Sequence, residues 1–382
     1  ERFRPAVYAG HPFESDVVFP VSRLDDVFAH GQSLWFDFIR RDLLDQGGLA
    51  RLINESAIRG LTSNPAIFKQ AIAGTALYDP ALQAQIAAGE RDPERLYEHV
   101  AIADIQHAAD AFAGLFDASQ RLDGWVSLEV SPTLAHDARG SVAAARRLAA
   151  AVGRPNLMIK VPGTAAGVEA LPQLLAAGIS VNVTLLFGRA AYRAIAEAWV
   201  DGMTQWTAAG GDPQAVASVA SFFVSRIDAA ADPKLPKPLQ GTTAIANARA
   251  AYADFLDLLD TPAARSLLDR GVRPQRMLWA STGTKNPEYS PTMYLDALIG
   301  PHTVNTVPPA TLDAFRERGT VSRSLDVDLD AAKAQLAAIA EAGVKLDEIT
   351  DQLCVDGIAQ FETAYADLLA AVADKRDRML AE

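Results

Sequence analysis

Eight short apolar runs, alternating with helical stretches along the chain, constrain the fold more than any other feature of this sequence. They are Ser33–Phe38, Ile58–Thr62, Trp125–Val130, Leu157–Val161, Ile179–Thr184, Val216–Phe223, Met277–Ser281 and, more weakly, His302–Val307. Each has strand length, and most lack polar alternation, as strands buried on both faces do. Helical spacing fills the intervals at Arg40–Asn54, Ala143–Val152, Ala165–Ala177, Ala190–Ala208 and roughly 243–270. Such alternation argues for a parallel α/β architecture. The count of eight favours a single closed (β/α)8 barrel of the TIM type; periodicity alone leaves an open doubly wound sheet as the alternative.

Two intervals are too long for simple crossovers. Residues 65–120 hold several alanine-rich helical stretches and are read as an insertion, and 311–382 are read as a mostly helical C-terminal extension, clearest over Leu329–Ala342 and Ile349–Ala373. Asp16–His30 is expected to form a short preliminary helix or connector, and Asp232–Gly241 a loop rich in proline and lysine. No repeat, low-complexity linker or break in composition divides the chain, so one domain is expected over 1–382, with its barrel at about 33–310.

Polar residues recur in or just after the strand ends: Asp37, Thr62 and Asn64, Glu129, Lys160, Asn182 and Thr184, Ser221, and Ser281. In a closed barrel those ends converge on one face, where active sites form. An open sheet would bring only the central few together.

Lys160 is the most demanding of them. An ammonium group inside Leu157-Met158-Ile159-Lys160-Val161 is costly unless it is paired or loses its proton. It is either a structural ion pair with Glu129 or a chemically used amine. A neutral lysine attacks a carbonyl to form a Schiff base, and the protonated imine is an electron sink that eases cleavage of the adjacent carbon–carbon bond. That chemistry needs a base for the departing hydroxyl and an acid/base that moves water. Asp37 and Glu129 offer two carboxylates on two other strands. Asn182 and Thr184, at alternate positions of one strand, suit substrate hydroxyls or an ordered water. Arg226 and Lys285, with Ser281, could hold a phosphate, the arginine as a bidentate fork and the lysine as a point charge.

Each residue also has a plainer use. Asp37 could cap a helix, Thr62-Ser63-Asn64-Pro65 could be a turn before a proline-started helix, Asn182 could be a satisfied core amide, and Arg226 could be a salt-bridged surface residue. The plain uses account poorly for the coincidence of all of them on one face.

Composition removes other classes. The net charge of −12 speaks against a duplex nucleic-acid binder. No stretch is long and apolar enough for a membrane span, since Ile179–Phe187 is interrupted by Asn182 and followed by Arg189. The lone Cys354 allows no intrachain disulfide, and Glu1-Arg2-Phe3-Arg4-Pro5 carries no signal-peptide core, so a cytoplasmic location is expected. Cys354 falls in a helical stretch and is read as inert packing, and Trp35, Trp125 and Trp279 as core or barrel-lining residues. There is no G-x-x-x-x-G-K-[ST] loop and no strand-linked G-x-G-x-x-G. His11, His30, His99, His107, His136 and His302 show no zinc spacing, so no metal is expected.

Taken together, Leu34-Trp35-Phe36-Asp37, Gly60-Leu61-Thr62-Ser63-Asn64-Pro65-Ala66-Ile67-Phe68, Val126-Ser127-Leu128-Glu129-Val130, Leu157-Met158-Ile159-Lys160-Val161-Pro162 and Asn182-Val183-Thr184-Leu185-Leu186-Phe187 resemble the transaldolases, over roughly 30–375. The longer form of that family is the nearer likeness, without its fused glucose-6-phosphate isomerase domain. The resemblance implies a (β/α)8 barrel, a Schiff-base lysine on the fourth strand, no cofactor, and sugar phosphates as partners. It implies the non-oxidative pentose phosphate pathway, with a dihydroxyacetone unit passing from sedoheptulose 7-phosphate to glyceraldehyde 3-phosphate and giving erythrose 4-phosphate and fructose 6-phosphate. By matching position, Lys160 is the nucleophile and Asp37 the base at the C4 hydroxyl, while Glu129, Thr184 and a water serve the proton transfers of imine formation. Thr62, Asn64, Asn182 and Ser221 line the sugar site, and Arg226 and Ser281 hold the phosphate. Where many short-form members carry an arginine two residues after the serine, this chain reads Ser281-Thr282-Gly283-Thr284-Lys285, and Lys285 is the expected substitute. An aldolase that releases free dihydroxyacetone and a catalytically silent sugar-phosphate-binding barrel are the rival functions.

Overall fold

A computed structural model describes residues 23–381. In chain order the elements are α1 (Arg23–Ala29), β1 (Gln32–Asp37), α2 (Arg41–Asp45), α3 (Gly48–Glu55), β2 (Ile58–Thr62), α4 (Pro65–Ala73), α5 (Asp79–Ala87), α6 (Pro93–Ala118) and β3 (Trp125–Glu129). Then come α7 (Ala138–Val152), β4 (Leu157–Pro162), α8 (Ala165–Ala176), β5 (Val181–Leu186), α9 (Arg189–Ala208), β6 (Ser218–Phe223), α10 (Ser225–Ala231), α11 (Thr243–Leu259) and α12 (Pro262–Asp269). Last are β7 (Arg276–Ala280), α13 (Met293–Ala297), β8 (Thr303–Val307), α14 (Pro309–Arg318), α15 (Leu329–Glu341) and α16 (Leu346–Ala381). The preliminary helix expected at Asp16–His30 is present as α1, and its part before residue 23 lies outside the described residues.

The strands pair in sequence order, β1 to β8, and β8 closes on β1 with parallel pairing. This is the (β/α)8 barrel, and the open-sheet alternative is excluded. Closure works because the strands are apolar toward the helices and carry the polar set toward the barrel interior, at period two. Trp35, Trp125 and Trp279 are buried among the barrel and helices as expected. Burying a ring of that size contributes on the order of 5 kcal/mol. Gly60 makes room for one of them: a Cβ there would lie 2.7 Å from the Trp35 indole.

Several boundaries differ from expectation. The helix read over Arg40–Asn54 is two helices, broken where Gly47 takes φ +69°. The helix read from Ala143 begins earlier, at Ala138, because Asp137 caps it by accepting from the Gly140 amide at 2.9 Å. The fifth strand sits two residues further on than its hydrophobic run. It bends at its end, where Leu185 adopts φ +61° and the register with β6 shifts between Val183 and Leu186. That bulge places an irregular backbone beside the barrel mouth, where such bulges commonly re-aim side chains. Gly163, after β4, packs into the same corner; its amide donates to the Thr184 carbonyl at 2.6 Å, and a Cβ there would meet Leu186 at 2.3 Å.

The insertion and the C-terminal extension belong together. α16 is longer than its periodic part suggested, and α4, α5 and α6 are its bed. Lys375 of α16, buried, donates to the Thr75 carbonyl at 2.7 Å and pairs with Asp79, and the Tyr365 hydroxyl donates to Glu94 at 2.7 Å. This packing carries Gln360 and Phe361 to the C-terminal mouth of the barrel.

The opposite mouth is closed by a buried polar network the sequence reading did not anticipate. Arg276 lies 3.1 Å from Asp123 and donates to Ser33 Oγ at 2.6 Å and the Thr303 carbonyl at 2.8 Å; Arg59 pairs with the other Asp123 oxygen at 2.6 Å. Burial acts to raise the Asp123 carboxyl, but the two guanidinium groups outweigh it and hold it below its usual range. Among the described residues no helix is long and apolar enough to cross a membrane.

Candidate active site

Lys160 stands in the middle of a row across three strands. Its Cα partners are Glu129 on β3 and Asn182 on β5, so the three side chains share the barrel interior at one level. The Lys160 amine lies 3.2 Å from Glu129 Oε2 and donates to the Ser63 carbonyl at 3.0 Å. Both side chains are almost fully buried. Glu129 makes the ion pair, yet neither of its oxygens finds an aligned hydrogen bond among the described residues. Burial pushes the Glu129 carboxyl above the usual carboxylate range, Lys160 pulls it back, and Asp37 adds a smaller upward push.

On β1, Asp37 does not cap a helix. It accepts from the Thr62 hydroxyl of the neighbouring strand at 2.7 Å, and the Arg40 cap of α2 uses no side chain. Burial raises the Asp37 carboxyl, while Lys160, the Thr62 bond and Lys285 lower it. The environment thus favours a proton on Asp37 more than water would, and two amines oppose that preference.

Asn64 has two employments. Its Oδ1 caps α4 by accepting from the Ile67 amide at 3.0 Å, which is the turn use, while the residue also lines the cavity. Thr184 is 1% exposed, and its hydroxyl has no hydrogen-bond partner among the described residues, although it too lines the cavity. An unused hydroxyl at that depth is suited to a water or a substrate oxygen.

The cavity over the amine has a volume of about 160 Å³. Asp37, Thr62, Asn64, Lys160, Thr184 and Ser221 form its inner part, and Arg226, Ser281 and Lys285 also line it. Glu129 and Asn182 are not on its wall. Asn182 is fully buried, donates to Ser127 Oγ at 3.1 Å and accepts from the Ser221 hydroxyl at 2.6 Å. The satisfied-amide use therefore holds for Asn182, and it reaches the cavity through Ser221.

Arg226 and Lys285 carry the far end. Arg226 donates to the neutral Gln360 amide oxygen at 2.8 Å and lies over the Phe223 ring; neither cation makes a salt bridge among the described residues. Burial lowers both from their usual ranges, and Arg226 lowers Lys285 further. Two cations at the rim of one cavity are an arrangement suited to an anion. Ser281 takes φ +54°, and its hydroxyl lies 3.1 Å from that of Ser225.

Several residues at the site were missed in the sequence, among them Ser127, Phe223, Gln360 and Phe361. Ser127 lies two positions before Glu129 and Phe223 two after Ser221, so strand alternation alone could have found both. Gln360 and Phe361 reach the mouth from α16, more than a hundred residues away, and no local pattern signals them. Cys354 is half-buried, and burial pushes its thiol up, in keeping with an inert packing role.

A buried amine beside carboxylates at the C-terminal mouth of a closed (β/α)8 barrel, with two cations lining the same cavity, is the arrangement of a barrel enzyme organised around a lysine. The chain belongs to the transaldolase/fructose-6-phosphate aldolase family, whose model matches residues 34–372. It is 46% identical over 354 residues to a transaldolase of Thiobacillus denitrificans, covering 91% of this chain and 98% of that protein. It is 46% identical over 350 residues to a transaldolase of Neisseria gonorrhoeae, with the same coverage of 91% and 98%. It is 40% identical over 373 residues to transaldolase 2 of Nostoc punctiforme, covering 93% and 97%.

Proposed function

We propose that this protein is a transaldolase of the non-oxidative pentose phosphate pathway. It moves a dihydroxyacetone unit from sedoheptulose 7-phosphate to glyceraldehyde 3-phosphate, giving erythrose 4-phosphate and fructose 6-phosphate. The observation that carries this reading is the row Glu129–Lys160–Asn182 beneath a cavity that also holds Asp37 and the two rim cations.

In the reaction the Lys160 amine, having passed its proton to Glu129, adds to the ketose carbonyl. Glu129, with a water held by Thr184, supplies and removes the protons that turn the carbinolamine into an iminium ion and expel water. Asp37 then takes the proton of the C4 hydroxyl as the C3–C4 bond breaks, and the bond electrons flow into the iminium to give an enamine. The shortened aldose leaves, the enamine attacks the acceptor aldehyde, and Asp37 returns its proton to the new hydroxyl. Water releases the product ketose from Lys160. Asp37, raised by burial and restrained by two amines, is suited to take a proton and give it back. Thr62, Asn64 and Ser221 meet the sugar hydroxyls, and Asn182 holds Ser221 in place from below. Arg226, Ser281 and Lys285 take the phosphate.

We read the chain as one domain, barrel and C-terminal extension together, because one continuous apolar core runs from Leu24 of α1 to Val372 of α16. We place it in the cytoplasm, a reading that this sugar-phosphate chemistry supports.

Product analysis with fructose 6-phosphate as donor separates the transferase from the aldolase reading. We expect sedoheptulose 7-phosphate to form only when erythrose 4-phosphate is present, with little free dihydroxyacetone in its absence. Equal release of dihydroxyacetone with and without the acceptor would make the protein an aldolase.

A further inference from the structure

Asp228 lies in α10, two residues beyond Arg226 and three beyond Ser225, and is 1% exposed. Its Oδ1 accepts from the Ala244 amide at 2.7 Å, in the first turn of α11, whose own cap residue Thr242 makes no side-chain cap bond. A cap supplied from another helix accounts for that oxygen. It does not account for Oδ2, which accepts from the Tyr294 hydroxyl at 2.9 Å.

Tyr294 is in α13, directly after the 281–292 segment that carries Ser281 and Lys285. At the start of that segment, the Ser225 amide donates to the Ser281 carbonyl at 3.1 Å, and the two hydroxyls are 3.1 Å apart. The segment is therefore tied to α10 at both ends, by Ser225 and by Asp228. Behind it is a second cavity of about 320 Å³, lined by Asp228, Asp232, Tyr289, Tyr294 and Lys285 among others. With open space on that side, hydrogen bonds rather than packing hold the segment: Thr282 Oγ1 donates to Asn305 Oδ1 at 2.9 Å and to the Thr306 carbonyl at 3.0 Å, the Tyr289 hydroxyl donates to Asp232 Oδ2 at 2.6 Å, and at its far end Tyr294–Asp228 is the tie that reaches the helix bearing Arg226 itself. Arg226 also repels Lys285, so the two cations need an external restraint to face one ligand.

We propose that Asp228, acting through Tyr294, is a positioning residue of the anion site: it fixes the segment bearing Lys285 against the helix bearing Arg226 so that both cations meet one phosphate. This inference rests on the reading that Arg226, Ser281 and Lys285 bind the substrate phosphate.

The test measures kcat, KM for fructose 6-phosphate and competitive inhibition by inorganic phosphate in the full chain. The variants are Tyr294→Phe, Asp228→Asn, their combination, Arg226→Ala and Lys285→Ala. Tyr294→Phe keeps the Ala244 cap and removes only the tether, so it remains informative if Asp228→Asn folds poorly. We expect Tyr294→Phe to raise KM and the phosphate inhibition constant about tenfold with kcat within about twofold, and the combined variant to be no worse than Asp228→Asn. If Arg226→Ala raises both constants while Tyr294→Phe leaves them unchanged, or lowers kcat alone, the positioning role is overturned and the phosphate site stands. If neither Arg226→Ala nor Lys285→Ala moves either constant, the phosphate reading fails and the inference with it.

Discussion

The Lys160 amine and the Glu129 carboxylate lie 3.2 Å apart on adjacent strands, buried and in register. Taken alone, this is a buried ion pair. We read it as a proton-exchange pair: among the described residues neither Glu129 oxygen has an aligned hydrogen bond, and burial favours its protonated form. A proton moving from amine to carboxylate leaves a neutral nucleophile and a neutral acid, which removes two buried charges at once.

Replacing the two carboxylates separates their duties. In Asp37→Asn the ketose still forms its adduct with Lys160, while cleavage falls roughly 10²–10⁴-fold. In Glu129→Gln adduct formation itself slows by a similar factor. Single-turnover trapping of the adduct, alongside release of the aldose, measures both. Normal cleavage in Asp37→Asn reassigns the base.

At the rim, Arg226→Ala removes a charge-assisted contact to phosphate worth about 1.5–3 kcal/mol. KM for phosphorylated ketoses should rise about ten- to a hundredfold with a smaller change in kcat. Steady-state kinetics with fructose 6-phosphate decides this, and an unchanged KM removes Arg226 from the phosphate site.

The acid side of the stability curve should depend on His302, below the barrel. Burial and then Arg276 lower its pKa to about 4 from 6.5. As pH falls below 6.5 the unfolded chain binds a proton that the folded chain refuses, so stability is lost until both forms are protonated below about 4. The loss from this group is on the order of 3 kcal/mol. His302 has φ +55°, a conformation that asparagine tolerates, so His302→Asn is the clean comparison. Urea midpoints from pH 7 to 4.5 should fall less in the variant than in the parent; parallel curves would show that His302 is not the titrating group. The raised carboxyls Asp37 and Glu129 act with the opposite sign in both proteins and cancel in the difference.

The contribution of α16 to the barrel mouth was the least accessible part of the sequence. The barrel itself was readable because parallel strands buried on both faces leave continuous apolar runs, and the polar exceptions at their ends marked one face. Lys160, Asp37, Thr62 and Glu129 stood out for that reason. The two-residue displacement of β5 was hidden because Leu185 is apolar and gives no sign of its left-handed backbone. Asn182 lies level with Lys160 but its amide is bonded to Ser127 and Ser221 and is not on the cavity wall, an engagement that depends on which side chains face it across the barrel rather than on residue type. Gln360 and Phe361 reach the site only through the bed that α4–α6 provide for α16. Contacts of that range leave no periodic trace.

The most direct test of Lys160 as nucleophile is reduction with borohydride in the presence of fructose 6-phosphate, followed by peptide mapping. The Schiff base should be captured as a secondary amine on the peptide bearing Lys160 and on no other. Lys160→Ala, checked for folding by circular dichroism because Glu129 then loses its partner, should form no adduct and lose activity on the order of 10⁴-fold or more. An adduct on a different lysine, or one that persists in a folded Lys160→Ala variant, would contradict the assignment of this amine as the centre of the site.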